Sequence, residues 1–128
     1  NNVVGVLLPG AFYTLNDTQK PPIDALRNAG VTLAVSTDLN PGSSPIGSLL
    51  LVANMAVNQF QLTIEEALWG ITLHAAKALG IEDSRGSIAV GKRADLCLWP
   101  IETPEQLIVE IGLHAPTKIW SAGREINL

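Results

Sequence analysis

A single carboxylate at the end of an apolar run is the first group in this sequence that could do chemistry. The run VTLAVS, residues 31–36, is closely followed by Asp38 and then by the loop NPGSS, residues 40–44. A carboxylate at the end of a strand can ligate a divalent metal and accept a proton from water that the metal activates. The same residue can instead cap a helix or support the turn that follows it. The spacing alone is compatible with both interpretations.

The loop after Asp38 is rich in groups that could hydrogen-bond a small polar molecule. Asn40 offers an amide, Gly42 an accessible backbone and Ser43 a hydroxyl group. Beside a carboxylate, such a loop suits a ligand that carries a carboxylate and ring nitrogens. An ordinary type I or II turn that leads into a helix at Ser44 or Pro45 explains the same residues equally well.

The elements that would position this loop are predicted from hydrophobic patterns. Residues 3–8 and 31–36 are apolar on both faces, which is typical of buried parallel strands. Between them, PGAFYTLNDTQK is interpreted as a loop and PPIDALRNAG as a short helix that ends at Gly30. Strand, helix and strand make one β/α unit, in which functional groups collect at the C-terminal ends of the strands. A further helix is predicted over residues 45–58.

Residues 63–80, TIEEALWGITLHAAKALG, predict one long helix with a capping box formed by Thr63 and Glu66. Gly70 in its interior indicates close contact with a neighbour, since glycine costs about 1 kcal/mol relative to alanine there. After residue 83 the pattern changes to short strands. SIAV and RADLCLWP flank a Gly-Lys turn, TPEQLIVEIG can form a short helix, and TKIW and REI flank a second turn.

Composition excludes several classes of protein. A net charge of −4 and a pI near 5.0 argue against a nucleic-acid or anionic-membrane surface. The apolar runs fall short of the roughly 20 residues that span a bilayer. The lone Cys97 excludes an internal disulfide, fits a cytoplasmic location, and is expected to be buried in a strand. The first residue is not Met and no basic signal segment follows, so we expect an internal piece of a longer protein.

Three segments together resemble the amidohydrolase superfamily: VTLAVSTDLNPGSSP, LTIEEALWGITLHAAKALGI and GSIAVGKRADLCLWP. Within it, VLLPGAFY paired with STDLNPG resembles the enzymes that hydrolyse 4-imidazolone-5-propanoate to N-formimidoyl-L-glutamate in histidine degradation. The resemblance implies an α/β fold in which residues 1–83 are the last two β/α units of a metal-dependent (β/α)8 TIM barrel. Residues 84–128 would then be the C-terminal strands of a small accessory β-sandwich domain.

The resemblance also implies roles for single residues. Asp38 would ligate one zinc or iron ion and shuttle a proton, Asn40 and Gly42 would contact the glutamate portion of the product, and Ser43 would contact the substrate. The superfamily also needs a His-x-His pair and a further histidine, whereas this sequence has only His74 and His114, which are expected to be structural. The other ligands should therefore lie in the N-terminal part of the barrel, without which the chain should be inactive. Whether the whole protein is a homodimer stays open.

Two other functions remain open at this point. An aminohydrolase that acts on a purine, pyrimidine or triazine would share Asp38 and the GKRADL ending, but need not share PGAFY or DLNPGSSP. A non-catalytic α/β interaction module that folds alone would unfold cooperatively without a metal, whereas a piece of a barrel would expose apolar surface.

Overall fold

The computed structural model describes residues 3–127, which form a mixed α/β structure. The strands and helices, in chain order, are β1 (Val4–Leu7), α1 (Pro9–Thr14), α2 (Ile23–Asn28), β2 (Thr32–Val35), α3 (Leu49–Phe60), α4 (Ile64–Gly70), α5 (Leu73–Ala78), β3 (Leu96–Leu98), α6 (Gln106–Val109), β4 (Lys118–Ser121) and β5 (Arg124–Ile126). No helix in residues 3–127 combines the length and hydropathy needed to cross a bilayer.

The two predicted strands pair in parallel, as expected. β1 and β2 are in register from Val4 opposite Thr32 to Leu7 opposite Val35. One face of this pair packs on α3, where Leu33 and Val35 join a buried cluster that includes Phe60. Because Leu7 and Val35 are partners, both strands end at the same edge of the sheet, and the two loops that follow begin side by side.

Two element boundaries differ from the sequence prediction. The segment after β1, predicted as a loop, begins with the short helix α1, because Pro9 suits the first helical turn and Phe12 packs edge-on against Phe60, with ring centroids 5.1 Å apart. The helix predicted from residue 45 begins only at Leu49, where the Ser48 hydroxyl accepts a hydrogen bond from the Leu51 N–H at 3.2 Å.

The long helix predicted over residues 63–80 is two helices. α4 begins with the predicted capping box and ends at Gly70, and α5 begins at Leu73. A Cβ atom at Gly70 would lie 2.9 Å from Val35 Cγ2, which confirms the predicted close contact. At the break the Thr72 hydroxyl donates to the Leu68 carbonyl at 2.6 Å, a bond that competes with regular helix geometry. The chain therefore changes direction between α4 and α5, next to the contact of Gly70 with β2.

A partly buried ion pair joins α2 to α4. Arg27 donates to both carboxylate oxygens of Glu66, at 2.8 and 2.7 Å, in the bidentate geometry that suits a guanidinium group. Glu66 also accepts from the Thr63 N–H at 2.8 Å. The hydrogen bonds from Arg27, and then that from Thr63, hold the pKa of Glu66 below its ordinary value despite partial burial. One carboxylate thus serves both as a helix cap and as a link between helices.

The C-terminal part forms a three-stranded antiparallel sheet in the order β3-β4-β5. Asp95 fixes its turn, since its carboxylate accepts from the Ala122 N–H at 2.8 Å, from Arg93 at 2.8 Å and from Arg85 at 3.2 Å. The Ala122 N–H, followed by the two arginines, lowers the pKa of Asp95. Asp95 therefore has a structural role in ordering this part of the chain.

Two other predictions for the C-terminal part are wrong, the strand over residues 87–90 and the burial of Cys97. SIAV, residues 87–90, is not a strand, and Ile88 and Val90 are 89% and 107% exposed. Cys97 is exposed rather than buried. Residues 87–90 pair with no strand among the described residues. Cys97 is exposed although β3 pairs with β4, because pairing with a neighbouring strand does not by itself cover the faces of a sheet.

The short helix α6 is present, and Ile108 within it is fully buried against Ala53 of α3 and Ala67 of α4. Asn54 on α3 donates to the Ile108 carbonyl at 2.9 Å, which adds a polar contact to this packing. A segment that follows the predicted boundary at residue 83 therefore packs on the helices that precede it. The division at 83/84 itself stays a prediction.

Candidate active site

Asp38 lies just beyond the C-terminal end of β2, as the sequence predicts for a functional group of a β/α unit. The Ser36 N–H donates to the Leu7 carbonyl at 3.0 Å, so the segments that follow β1 and β2 stay hydrogen-bonded as far as Ser36. Asp38 is exposed and its backbone is left-handed, with φ of 49°. That conformation costs roughly 1–2 kcal/mol for most L-residues, although aspartate tolerates it better than most. The carboxylate is thus presented on a backbone that needs support.

Asn40 supplies that support from inside the loop. Its side-chain Oδ1 accepts from the Gly42 N–H at 2.9 Å and from the Ser43 N–H at 2.8 Å. Its Nδ2 donates to the Asp38 carbonyl at 2.7 Å and to the Ser43 hydroxyl at 2.9 Å. The Asn40 N–H also donates to the Ser44 carbonyl at 3.0 Å and closes the loop. The segment is therefore a preformed turn that holds the predicted site residues together.

Ser44 fixes the loop to the start of α1. The residue is fully buried, and its hydroxyl donates to the Thr37 carbonyl at 2.5 Å. A Cβ atom at Gly10 would lie only 2.6 Å from Ser44 Oγ, so the loop can approach α1 only because residue 10 lacks a side chain. From the sequence, Ser44 was interpreted only as a possible start of a helix, and its contact with Gly10 was not predicted. Gly10 in PGAFY is the feature of the sequence that could have indicated this contact.

We expect Gly10→Ala to destabilise the full-length protein by about 1–3 kcal/mol through overpacking against Ser44. Because the clash involves the hydroxyl, Gly10→Ala combined with Ser44→Ala should be less destabilising than the sum of the single changes. Thermal unfolding of the four proteins measures this coupling. Gly47→Ala is the control, since among the described residues beyond its chain neighbours its Cβ would meet only Leu39, at 3.8 Å. Strict additivity of the pair would contradict the proposed contact.

Neither histidine lies in the loop that carries Asp38. His74 Nδ1 donates to the Leu33 carbonyl at 2.8 Å, and its ring lies edge-on to Trp69 with centroids 5.8 Å apart. His114 bonds the Glu110 carboxylate, and this contact is the main cause of the lowered pKa of Glu110. His74 therefore has the hydrogen-bonding role expected for it, and His114 forms a local contact with Glu110. No three potential ligands in residues 3–127 come together as a metal centre.

Asp38 nevertheless fits the role of one ligand in a larger set. Among the described residues, the only hydrogen bond to its carboxylate is a long one from Asn40 Nδ2, at 3.4 Å, and no ion pair is present. Its oxygen atoms are therefore free to coordinate a cation. An anionic oxygen ligand is also suitable for zinc and for iron.

A cavity of about 820 Å³ extends from the end of β2, at Val35 and Ser36, along α5 to the segment that leads into β3. Ala75 and Leu79 line one side of it, and Arg85, Lys92 and Cys97 line the other. None of the loop residues Asp38, Asn40, Gly42 and Ser43 contributes to this cavity. Its volume therefore gives no information on what the Asp38 loop binds.

The fold agrees with the comparisons to known proteins. The profile of the amidohydrolase family matches residues 3–126, so the chain belongs to the amidohydrolase family. The imidazolonepropionase of Shewanella sp. (strain W3-18-1) is 57% identical over 122 residues, which are 95% of this chain and 30% of the relative. The imidazolonepropionase of Shewanella baltica (strain OS223) gives the same identity and coverage. The chain thus spans about 30% of the length of these curated relatives.

Solved structures support the fold. An adenosine deaminase from Xanthomonas campestris with bound zinc superimposes with a TM-score of 0.76 at 30% identity, over 94% of this chain and 31% of that one. Guanine deaminase of E. coli gives a TM-score of 0.76 at 21% identity, over 98% of this chain and 34% of that one. The mixed α/β fold predicted from the sequence is therefore that of amidohydrolases and deaminases.

Proposed function

We propose that this chain is the C-terminal part of a hydrolase that opens the ring of 4-imidazolone-5-propanoate to give N-formimidoyl-L-glutamate in histidine degradation. The observation that carries the proposal is the 57% identity to imidazolonepropionases over 95% of the chain. The activity would belong to the full-length polypeptide, since the chain spans only 30% of such a relative. A cytoplasmic location is part of the same proposal, which the single cysteine supports.

The proposed architecture assigns residues 1–83 to the last two β/α units of a TIM barrel and residues 84–128 to an accessory β-sandwich. The parallel pair β1–β2 with its helices and the separate antiparallel sheet support this division. A two-stranded parallel sheet has two open edges, which further barrel strands would cover. The exposed Ile88 and Val90 would similarly find partners in the rest of the accessory domain.

The proposed site is built around Asp38 at the barrel mouth. Asp38 would be one ligand of a single zinc or iron ion, with the remaining ligands supplied from outside residues 3–127. A divalent metal in such a site lowers the pKa of bound water to about 7. The free carboxylate oxygens of Asp38 and the absence of a cationic partner among the described residues support this assignment. Zinc and iron would both accept this ligand.

In the proposed reaction, water adds to the ring carbonyl carbon and the bond from this carbon to its ring nitrogen breaks. Asp38 accepts the proton that the water loses and donates it to the departing nitrogen. The carbonyl carbon becomes the new carboxylate of the product, so no oxidant or further reactant is needed. The loop that contains Gly42 and Ser43 would bind the carboxylate-bearing chain of the substrate, with the Ser43 hydroxyl as a hydrogen-bonding group.

An aminohydrolase acting on a purine is the second candidate, because the fold superimposes on adenosine and guanine deaminases. The identity of 30% to the adenosine deaminase is much lower than the 57% to the imidazolonepropionases, and therefore favours the first candidate. A change of substrate within one fold is common, so the fold itself does not discriminate between the two.

Turnover by the full-length polypeptide, loaded with zinc or iron, tests the proposal. We expect loss of the ultraviolet absorption of 4-imidazolone-5-propanoate and formation of N-formimidoyl-L-glutamate, with no release of ammonia from guanine or adenosine. Release of ammonia from either purine compound, without ring opening of the imidazolone, would assign the protein to the aminohydrolases instead.

A further inference from the structure

We propose that Ser44 is a positioning residue for Asp38: its buried hydroxyl group fixes the peptide bond that leads into Asp38 and thereby directs the carboxylate. The inference rests on the proposed function for the identity of the reaction and for Asp38 as a metal ligand. The family resemblance assigns Ser44 no role.

The first argument is that Ser44 is held more firmly than the residues around it. Asp38 and Gly42 are exposed, whereas Ser44 is fully buried. Its side chain packs against the start of α1, where a Cβ atom at Gly10 would come within 2.6 Å of the Ser44 Oγ. Because protein interiors are close-packed, a side chain in such a place has little freedom to move. Ser44 is therefore a fixed point from which the rest of the loop can be held.

The second argument is that Ser44 bonds the loop on both sides of Asp38. The Ser44 hydroxyl donates to the Thr37 carbonyl at 2.5 Å, and the Ser44 carbonyl accepts from the Asn40 N–H at 3.0 Å. Thr37 precedes Asp38 by one residue, and Asn40 follows it by two. Among residues 3–127, the Ser44 hydroxyl is the only hydrogen-bond donor to the Thr37 carbonyl. Loss of this hydroxyl would leave that carbonyl without its partner.

The third argument is that the peptide bond between Thr37 and Asp38 determines where the carboxylate points. The φ angle of Asp38 is the rotation about the bond that follows this peptide, and its value of 49° lies in the unfavourable left-handed region. Both polar groups of the peptide are bonded, the carbonyl to Ser44 and the N–H to the Ser36 hydroxyl at 3.2 Å. A peptide plane that is held at both ends cannot turn freely, so the carboxylate keeps one direction. Residues that orient a metal ligand in this way typically change metal affinity or activity about 10- to 100-fold when they are removed.

The test is Ser44→Ala in the full-length protein, compared with Ser84→Ala. The Ser84 hydroxyl also donates to a backbone carbonyl, that of Ile81 at 3.1 Å, but it lies outside the loop. We expect Ser44→Ala to lower kcat about 10- to 100-fold with KM within about threefold, and to weaken the affinity of the metal-free protein for Zn²⁺ by a similar factor. Ser84→Ala should keep all three quantities within about twofold of the wild type. Affinity is measured by competition with a coloured chelator.

Ser36→Ala releases the other end of the same peptide. Because its hydrogen bond is longer than that of Ser44, we expect a smaller loss of the same kind, of at least about threefold in both kcat and Zn²⁺ affinity. This variant replaces Ser44→Ala if that protein does not fold, and wild-type values would then refute the inference. Melting curves of all variants give the temperature range in which each is folded, and kinetics and binding are measured within it.

Three results for Ser44→Ala would overturn the inference. The first is a rise in KM of more than about tenfold with kcat and Zn²⁺ affinity unchanged, as for a residue that shapes only the substrate-binding part of the loop. The second is a lower melting temperature with the kcat and Zn²⁺ affinity of the wild type, as for a residue that only stabilises the fold. The third is a fall in kcat with unchanged Zn²⁺ affinity, since the carboxylate would then have kept its position.

The same measurements separate this inference from the proposed function. If the wild type binds Zn²⁺ but does not open the imidazolone ring, the proposed function fails, whereas the Zn²⁺ affinities of the variants still decide the role of Ser44. A wild type that binds no Zn²⁺ would overturn both.

Discussion

Asp38→Asn in the full-length protein is expected to lower kcat for ring opening by about 10²- to 10⁴-fold, the range attributed to a positioned general acid or base. Asparagine has almost the same size and can keep the backbone contacts of the loop, so the loss would arise from the missing carboxylate. An amide is neither an anionic ligand nor a proton acceptor at neutral pH. Metal content should fall in parallel, because one of the proposed ligands is weakened.

Steady-state kinetics and metal analysis of the purified variant measure this effect. Asp83→Asn is the matched control, since this aspartate is exposed and lies outside the loop. It removes the same charge and should keep kcat within about twofold of the wild type, as expected for a surface substitution. An Asp38→Asn enzyme with nearly full kcat and metal content would refute both the proposed proton transfer and the proposed ligand.

Gly86→Ala is expected to cause the largest loss of stability, about 2–5 kcal/mol, because two penalties add at this position. The glycine has φ of +84°, which is unfavourable for a residue with a side chain. A Cβ atom there would also lie 2.5 Å from Ala76 Cβ and 3.0 Å from the Thr72 carbonyl oxygen. Gly86 lies between α5 and the C-terminal strands and packs against α5 there. The backbone therefore has little room to move away from an added methyl group.

Gly91→Ala separates the two penalties. Its φ of +89° is similar, but within residues 3–127 no heavy atom other than those of Gly91 and its chain neighbours lies within 4 Å of the added Cβ. We expect it to lose only the conformational part, roughly 1–2 kcal/mol. The midpoints of thermal unfolding of the two variants give the comparison, and equal losses would show that the contact with α5 is not tight.

Local signals predicted much of this fold. The two apolar runs predicted β1 and β2, the capping box predicted the start of α4, and Gly70 predicted a close contact, though not its partner. These features depend on periodicity, on neighbouring residues or on one unusual residue in a helix. The sequence therefore contains them within a short window.

The features that were missed depend on distant contacts. The break between α4 and α5 arises where Gly70 meets Val35, and α1 forms where Phe12 meets Phe60. Residues 87–90 have the pattern of a strand but find no partner strand among the described residues. In the candidate site, the sequence predicted where Asp38 would lie, whereas the role of Asn40 required knowing which atoms its amide faces.

The contact between Gly10 and Ser44 also bears on protein engineering. A loop and a helix that interlock in this way form one transplantable unit, and moving the Asp38 loop alone into another protein of this fold would bring its serine against a foreign side chain. A graft designed to transfer this specificity should therefore include the glycine after the preceding strand. In a host protein with alanine at that position, we expect the transferred loop to be distorted even if the loop sequence is identical.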